Sequence, residues 1–213
     1  FARSLAVKLA AQTDLLLQYT NARDKRLTDF GIPALNGRPV NVPASTYYGS
    51  RAAAQDDTTT STMQSLAATL NHRFNDHWSV RNVTRAYGYG LDRYNTVPGG
   101  TTDPVNLTVG RSHAFILRDE TGLFNQTDVT WRNQLGGLKQ EWLMGMELGQ
   151  QKKRAQSVSG GADRISLFSP GGVAAPLIPA ASYSADSAIP SDTTQSTAAL
   201  YWQNQITLAP QWK

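Results

Sequence analysis

The sequence contains no cysteine. That excludes a disulfide framework and any cysteine-ligated metal site. Charge is also sparse: Asp, Glu, Lys and Arg make up 17% of the chain. No apolar run approaches the roughly 18 residues a transmembrane helix needs, and mean hydropathy is −0.40. The three histidines are His72, His77 and His113, with no helical i, i+4 ligand spacing among them. No G-x-S-x-G and no glycine-rich phosphate loop before a helix occurs. The adjacent acids Asp119 and Glu120 fall on a strand, where neighbours point to opposite faces, so they cannot act as an acid/base pair on one substrate. An enzymatic reading therefore has no residues to rest on. The net charge of +4 comes without a basic tail. Lys152-Lys-Arg154, the only run of three cations, reads as a solvated strand end entering a loop, and nucleic acid is not an expected partner. The chain starts at Phe1 with no targeting segment and stops in what reads as a short turn after Leu208, so it is expected to be an excerpt of a mature protein.

Alternation is abundant. Leu66–Phe74, a short turn at 75–77 and Trp78–Arg85 form one alternating pair, and the design recurs around Thr13-Asp14 and Gly136-Gly137. Seven strands are predicted, at 3–11, 14–24, 60–74, 78–92, 117–135, 138–153 and 196–208. Connections alternate short and long, the long ones being loops at 25–59, 93–116 and 154–195. Several strands exceed the 9–11 or so residues that cross a bilayer. The expected fold is all-β: an antiparallel, up-and-down transmembrane β-barrel segment with short periplasmic turns and long extracellular loops. The low mean hydropathy fits, because only alternate residues meet lipid.

Period two assigns the faces. Leu5, Val7 and Leu9, then Leu15, Leu17 and Tyr19, then Leu66, Ala68 and Leu70 belong to an apolar face, as do Leu123, Val129 and Trp131, Met144, Met146 and Leu148, and Leu200 and Trp202. Lys8, Gln18, Asn71, Arg73, Asp128, Arg132, Glu141 and Gln205 lie opposite, facing a watery lumen. Phe74, Trp78 and Trp212 sit beside short turns, where an interfacial girdle is expected. A soluble sandwich also alternates, so a soluble β-rich, adhesin-like binding module is one alternative, and a non-specific porin or autotransporter barrel is another. Three Asn-x-Thr triplets, at Asn82, Asn106 and Asn125, read as ordinary strand composition.

Candidate ligand-binding residues are aromatic and basic groups near the loop ends of strands. These are Tyr47, Tyr48 and Arg51 in the first long loop, Arg85, Tyr87 and Tyr89 on the lumen face of the fourth strand, and Arg93 and Tyr94 just beyond. Rings stack on flat ligands, and guanidinium groups attract anions and stack on π faces. An iron chelate built from catecholates is both anionic and aromatic. No metal site and no resident cofactor is expected.

Asp24-Lys-Arg-Leu-Thr-Asp-Phe-Gly-Ile-Pro-Ala-Leu35, Gly37–Pro43 and Thr46-Tyr-Tyr-Gly49 resemble TonB-dependent siderophore receptors, most of all their catecholate branch. So do His72–Arg81 and Tyr201–Trp212. The resemblance implies a 22-stranded outer-membrane barrel around an N-terminal plug that carries the TonB-engaging segment. It implies that residues 1–213 are about a third of the barrel wall, without the plug or the remaining strands. It further implies import of a ferric siderophore, energised by the TonB–ExbB–ExbD complex through the plug, in a monomeric protein embedded in outer-membrane lipid.

Overall fold

The computed structural model describes residues 1–50, 57–170 and 189–208. Every regular element among them is a strand. Seven long strands form one antiparallel sheet: β1 (Ala2–Ala10), β2 (Thr13–Leu27), β5 (Thr58–Arg73), β6 (Trp78–Asp103), β7 (Thr108–Leu135), β8 (Leu138–Ser166) and β9 (Ile189–Thr207). Spatial order follows chain order throughout, β1-β2-β5-β6-β7-β8-β9, which is an up-and-down wall. Two short strands, β3 (Ala34–Leu35) and β4 (Arg38–Pro39), make a separate hairpin in the first long connection.

The tight turns lie where the sequence pattern puts them. Gly136 and Gly137 both adopt positive φ, 59° and 82°, as a two-residue turn matched to strand twist requires. Asn75 holds the β5–β6 turn by accepting the amides of His77 and Trp78 at 2.9 Å each.

The two later long loops differ from expectation. Residues 93–103 and 108–116 are not loop: β6 and β7 stay paired up to Asp103 and Thr108, leaving only residues 104–107 as the turn. Pro98-Gly-Gly100, which reads as loop punctuation, marks a register shift inside the hairpin; a bulge tolerates proline in a sheet. Asp103 builds the turn by accepting the amides of Val105 and Asn106 at 2.9 Å. Lys152-Lys-Arg154 likewise leads into no loop, since β8 continues to Ser166. With 29 residues in β8 and about 10 needed for the bilayer, roughly 60 Å of strand extends past it.

Register confirms the faces. Cross-strand partners share a side, so the pairs Leu5–Leu17, Leu17–Ala68, Leu66–Ala86, Ala86–Leu123, Val129–Met144 and Met144–Trp202 define one continuous outward stripe. Leu66 and Leu123, in the middle of the sheet, remain 54% and 57% exposed. Among the described residues no core covers them. At the turn end, Trp78 stacks on Trp131 at 5.5 Å, and Trp131 pairs with Trp142; these carry the expected girdle beside Phe74. Trp212 lies outside the described residues.

The outward stripe contains one polar interruption, built from two of the Asn-x-Thr triplets. Asn82-Val-Thr84 faces Asn125-Gln-Thr127 across the β6–β7 ladder. Each asparagine donates to the other's carbonyl at 3.2 Å. Asn82 also donates to Thr127 and Asn125 to Thr84, both at 2.7 Å. The threonine hydroxyls return bonds to Asn82 Oδ1 and Asn125 Oδ1 at 3.2 and 3.3 Å. Every amide hydrogen and carbonyl lone pair in the quartet is used, which makes it tolerable beside hydrocarbon.

Candidate functional site

The lumen face of β5–β8 at the loop end gathers four of the eight candidate residues. Arg85, Tyr87, Tyr89 and Arg93 occupy alternate positions of β6, on the face opposite the apolar stripe. Arg85 donates from Nε to Ser65 Oγ at 3.2 Å, and its guanidinium carbon lies 5.8 Å from the Tyr87 ring centroid. The Tyr87 ring lies flat on Gly122, its cross-strand partner, in space a Cβ would need. It stacks on Phe124 at 6.3 Å and 10°. Phe124 in turn lies over its own partner, Gly149. Glycine opposite an aromatic lets the ring cover bare backbone. The outcome is a flat, lumen-facing π surface with Arg85 at its edge.

Phe124 escaped the sequence reading, although the opposition of a ring to a glycine is visible once register is known. Tyr201 over Gly145 is a third example; its hydroxyl donates to Asp128 and accepts from Gln126 at 2.8 Å. Arg81 lies 3.6 Å from Asp128, so the lumen nearer the short turns is internally neutralised.

Nearer the loops the balance shifts. In the rows from Ala67–Arg85 up to Thr59–Arg93, the lumen face of β2 to β9 carries the cations Arg26, Arg85, Arg93, Arg118 and Lys153. Only Asp24 and Glu120 oppose them. Asp24 is 3.1 Å from Arg26, and Glu120 is 3.7 Å from Arg118 and accepts from Gln151 at 3.3 Å. Arg93 Nε and both amide atoms of Asn95, the next residue on this face, are buried without a hydrogen-bond partner. Asn95 is 2% exposed.

The other candidates separate from this patch. Tyr94 follows Arg93 in the strand and so faces the opposite way, outward, with Phe115 at 4.5 Å. Tyr47 and Tyr48 belong to the first long connection, which packs on that same outward side of the β6–β8 extension. Tyr48 is fully buried among Val40, Val109, Ile165 and Leu167, and its hydroxyl donates to the Leu167 carbonyl at 2.5 Å. It is a core residue of this shelf. Tyr47 Oη is buried without a partner; burial first, then the Asp57 and Asp29 carboxylates, push its pKa up to about 12. The fully covered side chain of Arg111 donates to the Gly49 carbonyl at 3.0 Å and pairs with Asp163 at 2.5 Å. Asp57 accepts from the Ser50 amide at 3.1 Å and the Thr96 hydroxyl at 3.0 Å, and its burial holds its pKa above the usual carboxylate value. Arg51 lies outside the described residues. His113 contributes to the shelf through Thr96 at 3.3 Å. Among the described residues no group of His, Asp and Glu is arranged to hold a metal ion.

An open antiparallel wall with an apolar outer stripe and a charged inner face is matched, over residues 2–213, by the profile described as TonB dependent receptor-like, beta-barrel. The chain belongs to that family. The receptor wall superimposes on the ferric-catecholate import receptor Fiu from E. coli K12 with a TM-score of 0.74 at 20% identity, covering 98% of this chain and 34% of that one. It also superimposes on the siderophore receptor PiuA from Acinetobacter baumannii with a TM-score of 0.71 at 19% identity, over 98% and 32%. The metal-pseudopaline receptor CntO of Pseudomonas aeruginosa is 26% identical over 147 residues, 68% of this chain and 20% of that protein. The chain thus spans about a fifth to a third of the relatives it matches.

Proposed function

We propose that this chain is a wall of an outer-membrane transporter that binds and imports ferric siderophores. The observation that carries this reading is the lumen patch near the loops. Five cations stand against two acids there, beside the coplanar rings of Tyr87 and Phe124. An anionic chelate with flat aromatic arms meets both needs: charge attraction in a cleft that focuses the field, and stacking on ring and guanidinium faces. The names of Fiu, PiuA and CntO support the ligand class. In this reading the ligand contacts are Arg85, Tyr87, Tyr89 and Arg93. Tyr47, Tyr48 and Tyr94 support the outer shelf instead.

The full-length receptor is proposed to be a monomer in the bacterial outer membrane, closed by further strands around a plug. The TonB–ExbB–ExbD complex acts on that plug to release the ligand inward. No covalent chemistry is involved. The test is uptake of a radiolabelled ferric catecholate by cells carrying the full-length receptor. Arg85→Ala with Tyr87→Ala should weaken uptake by about tenfold or more, as loss of a cation–π partner and a charge contact implies. Unchanged uptake at equal surface abundance would remove both residues from the site.

A further inference from the structure

The two acids of the lumen patch stand in different settings. Asp24 and Arg26 neutralise each other on β2, three strands away from β7. On β6, β7 and β8, in the rows from Arg85 up to Arg93, the lumen face carries one acid, Glu120. Each of these three strands has both its neighbours in the sheet. Glu120 lies in register with Tyr89 on one side and Lys153 on the other. Its row is midway between those of Arg85 and Arg93, four residues from each along β6, or about 13 Å. Arg118 is the next lumen-facing residue on β7. The acid is therefore at the centre of the cations and not at their margin.

Its contacts differ from those of a structural acid. The Glu120 and Asp128 side chains are similarly covered, 15% and 12% exposed. Asp128 accepts from the Tyr201 hydroxyl and from Gln126 at 3.2 Å, and lies 3.6 Å from Arg81. Among the described residues Glu120 accepts one hydrogen bond, from Gln151 at 3.3 Å. Arg118 Nε stands 3.7 Å from it, too far for a hydrogen bond, and that Nε has no hydrogen-bond partner. Among the described residues Lys153 belongs to no ion pair, although it faces Glu120 across the ladder. A loosely held carboxylate amid cations weakens the field that draws an anion in. It does so in proportion to the anion's charge.

We propose that Glu120 sets the charge selectivity of this site, as a repulsive element against ferric chelates of the highest negative charge. The proposal rests on the import reading above. The cations attract anionic chelates as a class, and Glu120 grades them. One carboxylate about 10 Å from a trianion in a water-like dielectric lowers its affinity roughly five- to tenfold at low salt, and that of a dianion roughly three- to fourfold.

The experiment uses the full-length receptor purified in non-ionic detergent, at about 10 mM salt, where screening is weak. The probes are two hexadentate ferric chelates on one backbone. One has three catecholate arms and is a trianion; the other has two catecholates and one hydroxamate and is a dianion. Glu120→Gln and Glu120→Ala should both bind the trianion roughly five- to tenfold tighter than the wild type does, and the dianion roughly three- to fourfold tighter. At about 0.5 M salt both gains should fall below about twofold. Asp119→Asn removes the same charge one residue away, on the outward face, and should leave both affinities within about twofold of the wild type. Equal gains for the two chelates, a loss for the trianion, or the same gains in Asp119→Asn would overturn the selectivity role. So would failure of both Glu120 variants to form a heat-modifiable barrel, since the acid would then be structural. A wild type that binds both chelates, with their affinities unchanged in the Glu120 variants, overturns this proposal alone. A wild type that binds neither overturns the import reading with it.

Discussion

Cutting the Asn82–Asn125 quartet should be more damaging than erasing it. Asn82→Ala removes four of the six hydrogen bonds of the network, leaving Asn125 Oδ1 with Thr127 alone and Asn125 Nδ2 with Thr84 alone. On the outward face no water can replace them within hydrocarbon. Polar side-chain bonds inside membranes contribute about 0.6 kcal/mol each and up to about 1.7, and an unsatisfied buried group costs about 1–3 kcal/mol. The expected loss is therefore about 2–3 kcal/mol. Replacing all four residues with apolar ones (Asn82→Leu, Asn125→Leu, Thr84→Val, Thr127→Val) removes donors and acceptors together, so stability should stay within about 1 kcal/mol of the wild type or rise. The assay is reversible denaturant unfolding of the full-length receptor in lipid vesicles, followed by tryptophan fluorescence. If Asn82→Ala falls within about 0.5 kcal/mol of the wild type while the quadruple variant is strongly destabilised, the quartet does not face lipid and the reasoning fails.

The outer shelf and the glycine contacts make further predictions. Gly122→Val should lift the Tyr87 ring from its partner strand and cost about 1 kcal/mol by losing the ring's packing, read in the same unfolding assay; no change would show the ring is not seated there. Tyr48→Phe leaves the Leu167 carbonyl without its donor and should speed amide exchange across residues 29–50 by about five- to tenfold, whereas Tyr47→Phe deletes a hydroxyl that has no partner and should leave exchange unchanged or slower. Asp57 has its pKa raised by burial, so folding favours its protonated form. Its contribution is most favourable below the ordinary carboxylate pKa and is lost as pH rises through the raised value. Protection of the Ser50 amide, corrected for intrinsic exchange, should thus be greater near pH 4 than near pH 7, and the difference should vanish in Asp57→Asn; equal protection at both would contradict it.

Much of the wall is readable from residue order because period two is a local signal. Leu66, Ala68 and Leu70 announce their face without any knowledge of neighbours, and Gly136-Gly137 announces its turn. The extracellular ends are harder. Above the bilayer neither face must be apolar, so 93–103 and 108–116 lose the alternation that marks a strand. Proline and glycine then read as loop where the sheet uses them as a bulge. Tyr48 illustrates the same limit: an aromatic in a polar loop looks available for a ligand until the shelf built by Val40, Val109 and Leu167 is seen around it. Tyr94 reads with Arg93 by proximity, yet one residue of strand reverses its direction. The Asn-x-Thr quartet and the ring–glycine contacts depend on register, which no single strand contains. By contrast Arg85, Tyr87 and Tyr89 are legible because they lie in an alternating strand whose opposite face is fixed by Ala86 and its leucine partners.

The face assignment along β6 underlies both the ligand patch and the lipid contacts. Because these 213 residues carry no cysteine, a single cysteine can be placed at each position from 80 to 90 in the full-length receptor, spin-labelled, and reconstituted into vesicles. Collision with dissolved oxygen and with a water-soluble nickel chelate then reports the surroundings of each label. The account predicts strict period two, with positions 81, 83, 85, 87 and 89 open to nickel and the even positions open to oxygen. The reverse phase, or no alternation at all, would contradict it.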